Sequence, residues 1–231
     1  MDILQILIMV TNTDMYASGN LQTGLWLSEV THIYHAAKEH AYKIILASPK
    51  GGNAPVDPES LKPLVLDELS KHYWEDSEFR QALRQTLSFD EVSGQLFDCI
   101  YLAGGHGTMY DFPGNTVLQK IIKDHYENNK KVTAICHGVS GLLNVKLSDG
   151  EYLVKGKKLT GFTWFEESIA RRKKEVPFDL EASLKARGAN FRKALIPMTS
   201  NVVVEGRLIT GENPFSSIEM AKVVIQQLNE K

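Results

Sequence analysis

The sequence lacks the features that mark several large classes of protein. Its 231 residues contain two cysteines, too few for the disulfide framework of a small secreted domain. The apolar stretch at residues 3–10 is interrupted by Gln5 and is far too short to cross a bilayer. The 26 basic and 28 acidic residues leave a net charge of −2, which gives no reason to expect nucleic acid or an anionic membrane as a partner. We therefore expect a protein of a reducing, cytoplasmic compartment that binds neither nucleic acid nor membrane.

Nucleotide-binding loops are missing as well. The glycine-rich segment at residues 104–107 (GGHG) lacks the further glycine and the later acidic residue of a dinucleotide-binding fingerprint. No lysine-containing loop of the phosphate-binding type occurs in the sequence. Segment 104–107 is therefore either a plain turn at the end of a strand or a place where the backbone closely approaches a ligand.

What the sequence does have is an alternation of short β-branched runs with longer amphipathic segments. This pattern predicts an α/β fold, a three-layer αβα sandwich around a mostly parallel sheet. We predict strands at residues 3–11, 43–48, 97–103 and 131–135, helices at 24–40, 115–128, 177–187 and 216–229, and hairpins at 152–162 and 202–210. Residues from about 53 to 92 carry three prolines and a charged helical stretch without a strong strand. We interpret them as a small inserted cap within a single domain that spans residues 1–231.

The sharpest local feature lies at residues 132–141 (VTAICHGVSG), where an apolar strand runs into a cysteine, a histidine and small residues that open a helix. That layout is typical of a nucleophile elbow, which holds a reactive side chain at the carboxyl end of a strand. The positive end of the helix dipole would lower the pKa of the Cys136 thiol. The alternative is that Cys136 is a small buried apolar residue, which is our interpretation of Cys99, inside a strand.

A nucleophilic cysteine needs a base, a group that orients the base, and donors for an oxyanion. His137, the next residue, and His106, in the glycine-rich loop, are both candidates for the base. The backbone N–H of Gly105 is a candidate oxyanion donor. The remaining histidines lie on helical stretches and are expected to be solvent-facing or half-buried: His32, His35, His40, His72 and His125.

Two acidic positions are candidates for proton transfer or for orienting the base. Glu29 lies among apolar residues of the first predicted helix, where a carboxyl could stay protonated, or it is a plain surface glutamate. Glu166 and Glu167 directly follow a predicted strand. One of them could orient His137, or both could simply favour the dipole at the start of a helix.

Five segments, taken together, resemble a known superfamily: 23–29 (TGLWLSE), 103–113 (AGGHGTMYDFP), 134–138 (AICHG), 160–167 (TGFTWFEE) and 206–214 (GRLITGENP). In this order they are similar to the ThiJ/PfpI superfamily, which has the class I glutamine amidotransferase-like fold. Within it, the chain resembles the branch of heat-shock chaperones and glutathione-independent glyoxalases (glyoxalase III). The resemblance extends from the first predicted strand to the last predicted helix.

The resemblance implies a role for each matched residue. Cys136 would be the nucleophile, His137 its partner and Glu167 the third member of a triad. Glu29 would be a protonated carboxyl that donates to the thiolate, and Gly105 would form the oxyanion pocket together with the backbone N–H of His137.

Substrate contacts are implied for His106 and Trp164. Trp164 lies three residues before Glu167, so we expect it to share the same helix face and to wall the pocket. At Trp164 and Phe165 the branch usually carries smaller or polar residues, so the two aromatic side chains are expected to narrow the pocket. The resemblance implies no cofactor. A metal site is reported for some relatives, but we find no His/Glu spacing here that matches it, and we expect no metal.

The activity that the resemblance implies is the conversion of methylglyoxal or glyoxal to D-lactate or glycolate by a homodimer, with a small dicarbonyl aldehyde as substrate. Three alternatives remain open. Two use the same cysteine: deglycation of aldehyde-modified proteins or nucleotides, and peptidase or amidase action. The third is a holding chaperone of the stress response, which needs an exposed apolar patch and no cysteine.

Overall fold

A seven-stranded sheet forms the centre of the protein in a computed structural model that describes residues 3–230. The strands of the chain are β1 (Gln5–Met9), β2 (Lys43–Ser48), β3 (Leu87–Ser88), β4 (Cys99–Leu102), β5 (Lys131–Ile135), β6 (Lys158–Leu159), β7 (Asn190–Phe191), β8 (Val202–Glu205) and β9 (Leu208–Gly211). The sheet has the order β3-β2-β1-β4-β5-β9-β8, and β6 pairs with β7 outside it. Neighbouring strands of the sheet are parallel, except that β8 is antiparallel to β9.

The α-helices are α1 (Leu27–Glu39), α2 (Glu68–Glu75), α3 (Ser77–Arg84), α4 (Phe89–Val92), α5 (Thr108–Asp111), α6 (Thr116–Glu127), α7 (Trp164–Ile169), α8 (Leu180–Ala186) and α9 (Ser217–Asn229). Short 3₁₀-helices occupy Pro58–Leu61, Cys136–Leu142 and Pro214–Ser216. In the described part of the chain, no helix is both long enough and apolar enough to cross a membrane.

The sheet is covered on both faces because successive residues of a strand point to opposite sides. In β1, Leu7 and Met9 belong to one core, which includes residues of α4, α5, α6 and α8. Ile6 and Ile8 belong to the other core, which includes residues of α1, α2, α3 and α9. Since both faces are buried, the central strands carry continuous apolar runs, as parallel strands require. The three-layer α/β architecture expected from the sequence is confirmed.

Several predicted elements are observed at or near their predicted bounds. β2 and β5 match the predicted strands, and β8 with β9 forms the hairpin predicted at residues 202–210. The helices α1, α6 and α9 lie inside the predicted ranges and are a few residues shorter. Strong apolar periodicity explains these agreements, because it is a local signal.

The hairpin predicted at residues 152–162 is wrong. In that segment only β6 is a strand, and its partner is β7, which runs parallel to it. The residues before β6 form turns, and Gly156 N–H donates to Gly188 O at 2.8 Å. A parallel partner from a distant part of the chain leaves no mark in the local sequence, whereas a glycine turn is typical of both arrangements.

The segment at residues 53–92 lies partly on the sheet and partly beside it. The sequence shows no strong strand here, and the strand that is present, β3, has two residues and pairs with Ala47–Ser48 at the edge of the sheet. Leu25 bridges Val56, and α2 packs on α1. A two-residue strand is too short to show an alternating pattern, which explains why the sequence did not predict it.

His125 is buried, contrary to the expectation that it faces solvent or is half-buried. Its Nδ1 lies 2.7 Å from Ile121 O, its Nε2 accepts a hydrogen bond from Phe97 N at 3.0 Å, and its ring stacks on Phe97. His125 lies on the same face of α6 as the buried residues Leu118, Ile121 and Ile122, which explains its burial. The other four histidines assigned to helices are half-buried or exposed, as expected.

Candidate active site

Cys136 lies at the carboxyl end of β5 in a strained backbone conformation. Its φ is 56°, a region that residues with a Cβ rarely adopt. The chain turns there directly into the 3₁₀-helix Cys136–Leu142, and the Cys136 side chain lines a cavity at this edge of the sheet. A strained residue between a strand and a helix has the geometry of a nucleophile elbow.

His137 connects the cysteine to a buried carboxylate. Its Nδ1 lies 3.3 Å from Cys136 Sγ, and its Nε2 lies 2.8 Å from Glu167 Oε2. The other oxygen, Glu167 Oε1, lies 2.8 Å from His106 Nε2, and the two imidazole rings are 4.1 Å apart. The structure thus brings both candidates for the base to one carboxylate, rather than selecting one of them.

Burial and the close contact of the three groups set the pKa values of Glu167 and His106 in this cluster. Burial raises the pKa of Glu167, but the charge on His137 and the hydrogen bonds from both imidazoles outweigh it and hold the pKa below the usual range. Burial lowers the pKa of His106, and the nearby His137 adds to this effect. Glu167 is therefore a carboxylate that accepts Nε2–H from His137. The lone pair of His137 Nδ1 then faces the Cys136 sulfur.

The start of α7 separates Glu167 from its neighbour Glu166. Thr163 caps this helix by accepting from Glu166 N at 3.1 Å, and Glu166 Oε2 accepts from Thr163 N and Oγ1 in return. Glu166 Oε1 accepts from Met198 N and from Asn213 Nδ2. All the polar capacity of Glu166 is therefore used within the fold, and the structure places Glu167, not Glu166, beside His137.

Glu29 is fully buried in α1 and lies near the cysteine. Its Oε2 accepts from Gly104 N at 2.7 Å, whereas its Oε1 is buried without a hydrogen-bond partner among residues 3–230. Burial raises the pKa of Glu29 to about 8, although the contacts with Cys136 and Gly104 lower it in part. At neutral pH the Glu29 carboxyl therefore keeps its proton.

Burial also raises the pKa of the Cys136 thiol, and an ionised Glu29 raises it further. The backbone N–H of His137 acts in the opposite direction by donating to the sulfur. The low thiol pKa expected from a helix dipole is therefore not supported, because burial of the sulfur and the carboxyl of Glu29 both raise the pKa of the thiol. Thiolate and carboxylate disfavour each other, so the sulfur ionises most easily while Glu29 holds its proton.

The loop after β4 is close to both α1 and the elbow. Gly105 has a φ of 103°, and a Cβ at this position would lie 2.2 Å from Gly24 O. At Gly104 a Cβ would lie 2.7 Å from Glu29 Oε2 and 2.8 Å from His137 N. Only glycines allow this close approach, which places the backbone of the loop beside the thiol and its carboxyl partner.

A cavity of about 360 Å³ opens beside the cysteine. Residues of several elements line it: Trp26, Ser28, His32, Leu64, Val65, Leu66, Asp67, His106, Cys136, His137, Phe162, Ala170, Met198, Pro214, Phe215, Ser217 and Ile218. Residues 64–67 belong to the segment that was interpreted from the sequence as a cap. Gly105 is not among the lining residues.

Trp164 does not wall this cavity, contrary to the expectation from the sequence. As the first residue of α7, it donates its backbone N–H to Glu181 Oε2, and its ring packs on the core that includes α6 and α8. Lys173 Nζ lies 4.7 Å from the ring centroid. The aromatic side chain that lines the cavity beside His137 is instead that of Phe162, and the two ring centroids are 4.5 Å apart. The pocket is therefore not narrowed by Trp164.

His106, His137 and Glu167 are also the residues that could hold a metal ion. One ligand atom of each lies within 4.8 Å of the others, and imidazole and carboxylate are donors that suit Zn²⁺. No regular His/Glu spacing reveals this set, because its members come from three separate segments. The short hydrogen bonds that Glu167 accepts from both imidazoles favour a role in proton transfer.

The fold and the site together define a class of protein: an αβα sandwich that presents a cysteine on a nucleophile elbow, next to a hydrogen-bonded histidine and glutamate. The model of the DJ-1/PfpI family matches residues 22–227. The chain belongs to the DJ-1/PfpI family. This finding confirms the family inferred from the five sequence segments.

The most informative relatives match over nearly the whole chain. Glyoxalase 3 of Candida albicans is 31% identical over 96% of this chain and 97% of its own length. A glutathione-independent glyoxalase of Schizosaccharomyces pombe is 32% identical over 89% of this chain and 88% of its own length.

Solved structures agree with these sequence matches. The Rapid Encystment Protein 24 kDa of Francisella tularensis is similar with a TM-score of 0.93 and 36% identity, covering 98% of this chain and 99% of that one. The crystal structure of glyoxalase III from Candida albicans is similar with a TM-score of 0.87 and 31% identity, covering 97% of each chain.

Proposed function

We propose that the protein is a glutathione-independent glyoxalase that converts methylglyoxal to D-lactate and glyoxal to glycolate, with small dicarbonyl aldehydes as its substrates. One observation carries the proposal: Cys136 Sγ, His137 Nδ1 and Glu167 form a hydrogen-bonded chain at the wall of a cavity, with the buried carboxyl of Glu29 nearby. Relatives that match over nearly the full chain bear the name glyoxalase, which supports the same activity.

The first step is the addition of the thiol to the aldehyde. Cys136 Sγ forms a bond with the aldehyde carbon, and the thiol proton passes to His137 Nδ1. Glu167 stabilises the imidazolium and fixes the tautomer that can accept this proton. The aldehyde oxygen takes up the proton and becomes the hydroxyl of a hemithioacetal. The backbone N–H groups of Gly105 and His137 are the proposed donors for its transient negative charge.

The second step moves hydrogen from one carbon to the next. A base removes the proton from the former aldehyde carbon to give an enediol, and the adjacent carbon is then protonated. His137 and Glu29 are the two groups that can exchange these protons at the sulfur-bound carbon. The aldehyde carbon is oxidised and the ketone carbon is reduced, so that the two changes cancel. The product of this step is a thioester of Cys136.

Hydrolysis completes the cycle. Water adds to the thioester carbon, the bond to Cys136 Sγ breaks, and the hydroxy acid leaves. His106 lines the cavity and shares Glu167 with His137, so it is placed to take the proton of the attacking water. We propose His106 as this second base, which gives each imidazole of the pair its own step.

The test is the conversion of methylglyoxal to D-lactate by the wild type, Cys136→Ala and Cys99→Ala. Cys136→Ala should lose activity by roughly 10⁴-fold or more, since the covalent step is no longer available. Cys99→Ala is the matched control, because Cys99 is equally buried but lies inside β4, and it should retain activity. A wild type that forms no D-lactate, or a fully active Cys136→Ala, contradicts the proposal.

A holding chaperone is the second candidate function, favoured by large apolar side chains that are exposed. Leu64, Leu195 and Ile196 are 97%, 103% and 67% exposed. Suppression of aggregation that survives Cys136→Ala would separate this function from the enzymatic one. The homodimer and the cytoplasmic location expected from the sequence remain predictions.

A further inference from the structure

The cavity beside Cys136 is much larger than methylglyoxal. Its volume of about 360 Å³ lies in the range of ~300–1,000 Å³ that is typical of pockets for drug-sized ligands. Methylglyoxal is about as large as three water molecules, each of which occupies about 30 Å³ in the liquid. Most of the cavity therefore remains unfilled when this aldehyde is attached to the sulfur.

The cavity is reactive at its buried end and apolar towards its mouth. Cys136 and His137 are 2% and 1% exposed, whereas the lining residues Phe215 and Ile218 are 49% and 53% exposed. Phe162, next to His137, begins an apolar wall that Met198 and Leu66 extend. A substrate whose aldehyde is at Cys136 would therefore direct its other end along apolar side chains.

Charged groups that could bind an anionic substituent are missing from this wall. No lysine or arginine is among its lining residues within the described residues 3–230. The charged residue that lines it, Asp67, lies 3.1 Å from His32 Nε2 and accepts from Ser70 N. This acidic group would repel an anionic substituent, whereas the apolar side chains favour an uncharged hydrocarbon group.

We propose that the site takes 2-oxoaldehydes whose ketone bears a larger apolar substituent, an aryl group being the clearest case. The inference rests on the proposed glyoxalase function and names the substrate class of the same site. With phenylglyoxal, Cys136 Sγ bonds to the aldehyde carbon, a proton moves from that carbon to the ketone carbon, and water cleaves the thioester. The product is mandelate. The aldehyde carbon is oxidised, the ketone carbon is reduced, and the water is consumed.

The experiment compares phenylglyoxal with methylglyoxal as substrates of the wild-type protein. Mandelate and lactate are quantified by chromatography, so that reaction of phenylglyoxal with arginine side chains is not counted as turnover. We expect the KM for phenylglyoxal to be lower by roughly 10-fold or more, the gain that burial of a ring-sized apolar group provides. The ratio of the two kcat/KM values is the specificity readout.

Two variants of the wall and one matched control locate the effect. Phe215→Ala removes part of the wall and Ala170→Phe fills it, so each should lower the ratio of phenylglyoxal to methylglyoxal kcat/KM several-fold. Phe165→Ala is the control, because Phe165 is a similarly exposed phenylalanine (59%) that does not line the cavity. It should leave the ratio unchanged. Melting curves check that each variant is folded.

The two proposals fail in different ways. If methylglyoxal is converted but phenylglyoxal has no lower KM, or if neither wall variant moves the ratio, the substrate class is wrong and the glyoxalase function stands. If neither aldehyde yields its hydroxy acid, the glyoxalase function is wrong and the substrate class falls with it.

Discussion

Cys136, His137 and Glu167 lie together at the carboxyl edge of the sheet and form the edge set. A second buried cysteine, histidine and glutamate, the interior set, are dispersed through the fold: Cys99 in β4, His125 in α6 and Glu166 in α7. All six side chains are buried, so neither residue type nor burial distinguishes the groups that we propose to be reactive from structural ones.

The two cysteines differ in backbone and surroundings. Cys99 continues β4, its sulfur lies 3.8 Å from Thr133 Oγ1, and burial raises its pKa to about 12. Cys136 ends β5 with a φ of 56° and lines the cavity next to His137 and Glu29. A thiol within a strand is held by its neighbours, whereas a thiol at the elbow has both a base and a space for substrate.

The histidines and glutamates show the same division. Both ring nitrogens of His125 bond to the backbone, and both oxygens of Glu166 accept from donors of the fold. His137, in contrast, lines the cavity and keeps Nδ1 towards the sulfur. His125 and Glu166 have fixed partners for all their polar atoms. At the edge, both oxygens of Glu167 are occupied by imidazoles, but His137 retains Nδ1 for the exchange of a proton with the sulfur.

The largest expected effects come from the adjacent glutamates. Glu167→Gln should lower methylglyoxal turnover by roughly 10⁴-fold, the loss seen when a base is left in the wrong tautomer. A carboxylate accepts N–H from His106 and His137 at once, but an amide offers one oxygen and one donating nitrogen. One imidazole must then change its tautomer. The melting temperature should change little.

Glu166→Gln is the counterpart and should act on stability. Its amide nitrogen would face either the donors of Thr163 or those of Met198 and Asn213. Leaving these buried groups unpaired costs about 3 kcal/mol, or a fall of roughly 6–12 °C in Tm. Turnover per folded molecule should be nearly that of the wild type. An inactive but stable Glu166→Gln would reverse the two assignments.

Local patterns predicted the backbone of the edge set better than the contacts of the interior set. The apolar run of β5, the Cys-His-Gly sequence and the glycines of loop 104–107 are all short-range signals, and they indicated the elbow correctly. The hairpin of β8 and β9 was likewise predicted from a turn between two apolar runs. Each of these features depends on neighbouring residues, and propensity and periodicity capture such dependence.

Contacts between distant segments could not be predicted in the same way. Nothing local shows that His106 and His137 share Glu167, that Glu166 binds Asn213, or that β6 pairs with β7. Trp164 was expected to wall the cavity because it precedes Glu167 by three residues, but its ring faces the core. Each of these contacts depends on how distant segments come together in the tertiary structure, and local sequence patterns do not contain that information.

A buried carboxyl, that of Glu29, lies near Cys136 but has no counterpart near Cys99 among the described residues. The variant Glu29→Gln tests the contribution of this carboxyl to turnover. The variant keeps a donor for the sulfur but cannot shuttle a proton, so turnover should fall by roughly 10²–10⁴. The pKa of the Cys136 thiol should fall as well, because an ionised Glu29 raises it. The two readouts are methylglyoxal consumption and the pH dependence of alkylation, with Cys99 as internal control. If neither the turnover nor the pH dependence of alkylation changes, the role of Glu29 is purely structural.

The smallest expected effect is the pH dependence of stability that Glu29 causes. Folding raises its pKa from 4.5 to about 8, so between these values the folded protein holds a proton that the unfolded chain has released. The contribution of this pKa difference to the free energy of unfolding should therefore be complete below about pH 4.5 and should decrease as the pH rises to about 8. Water entering around the ionised carboxyl limits the loss to about 2–3 kcal/mol, or roughly 5–10 °C in Tm.

Glu29→Gln removes this titration while it retains an acceptor for Gly104 N. The Tm of the variant relative to wild type should therefore rise between pH 5 and pH 8, as measured by calorimetry. Glu39→Gln, at the exposed end of the same helix, is the control and should give a difference that is constant with pH. If Glu29→Gln and Glu39→Gln behave alike, Glu29 is ionised throughout this range. It could not then coexist with a thiolate on Cys136, and the chemical difference between the edge and the interior would rest on His137 and the cavity alone.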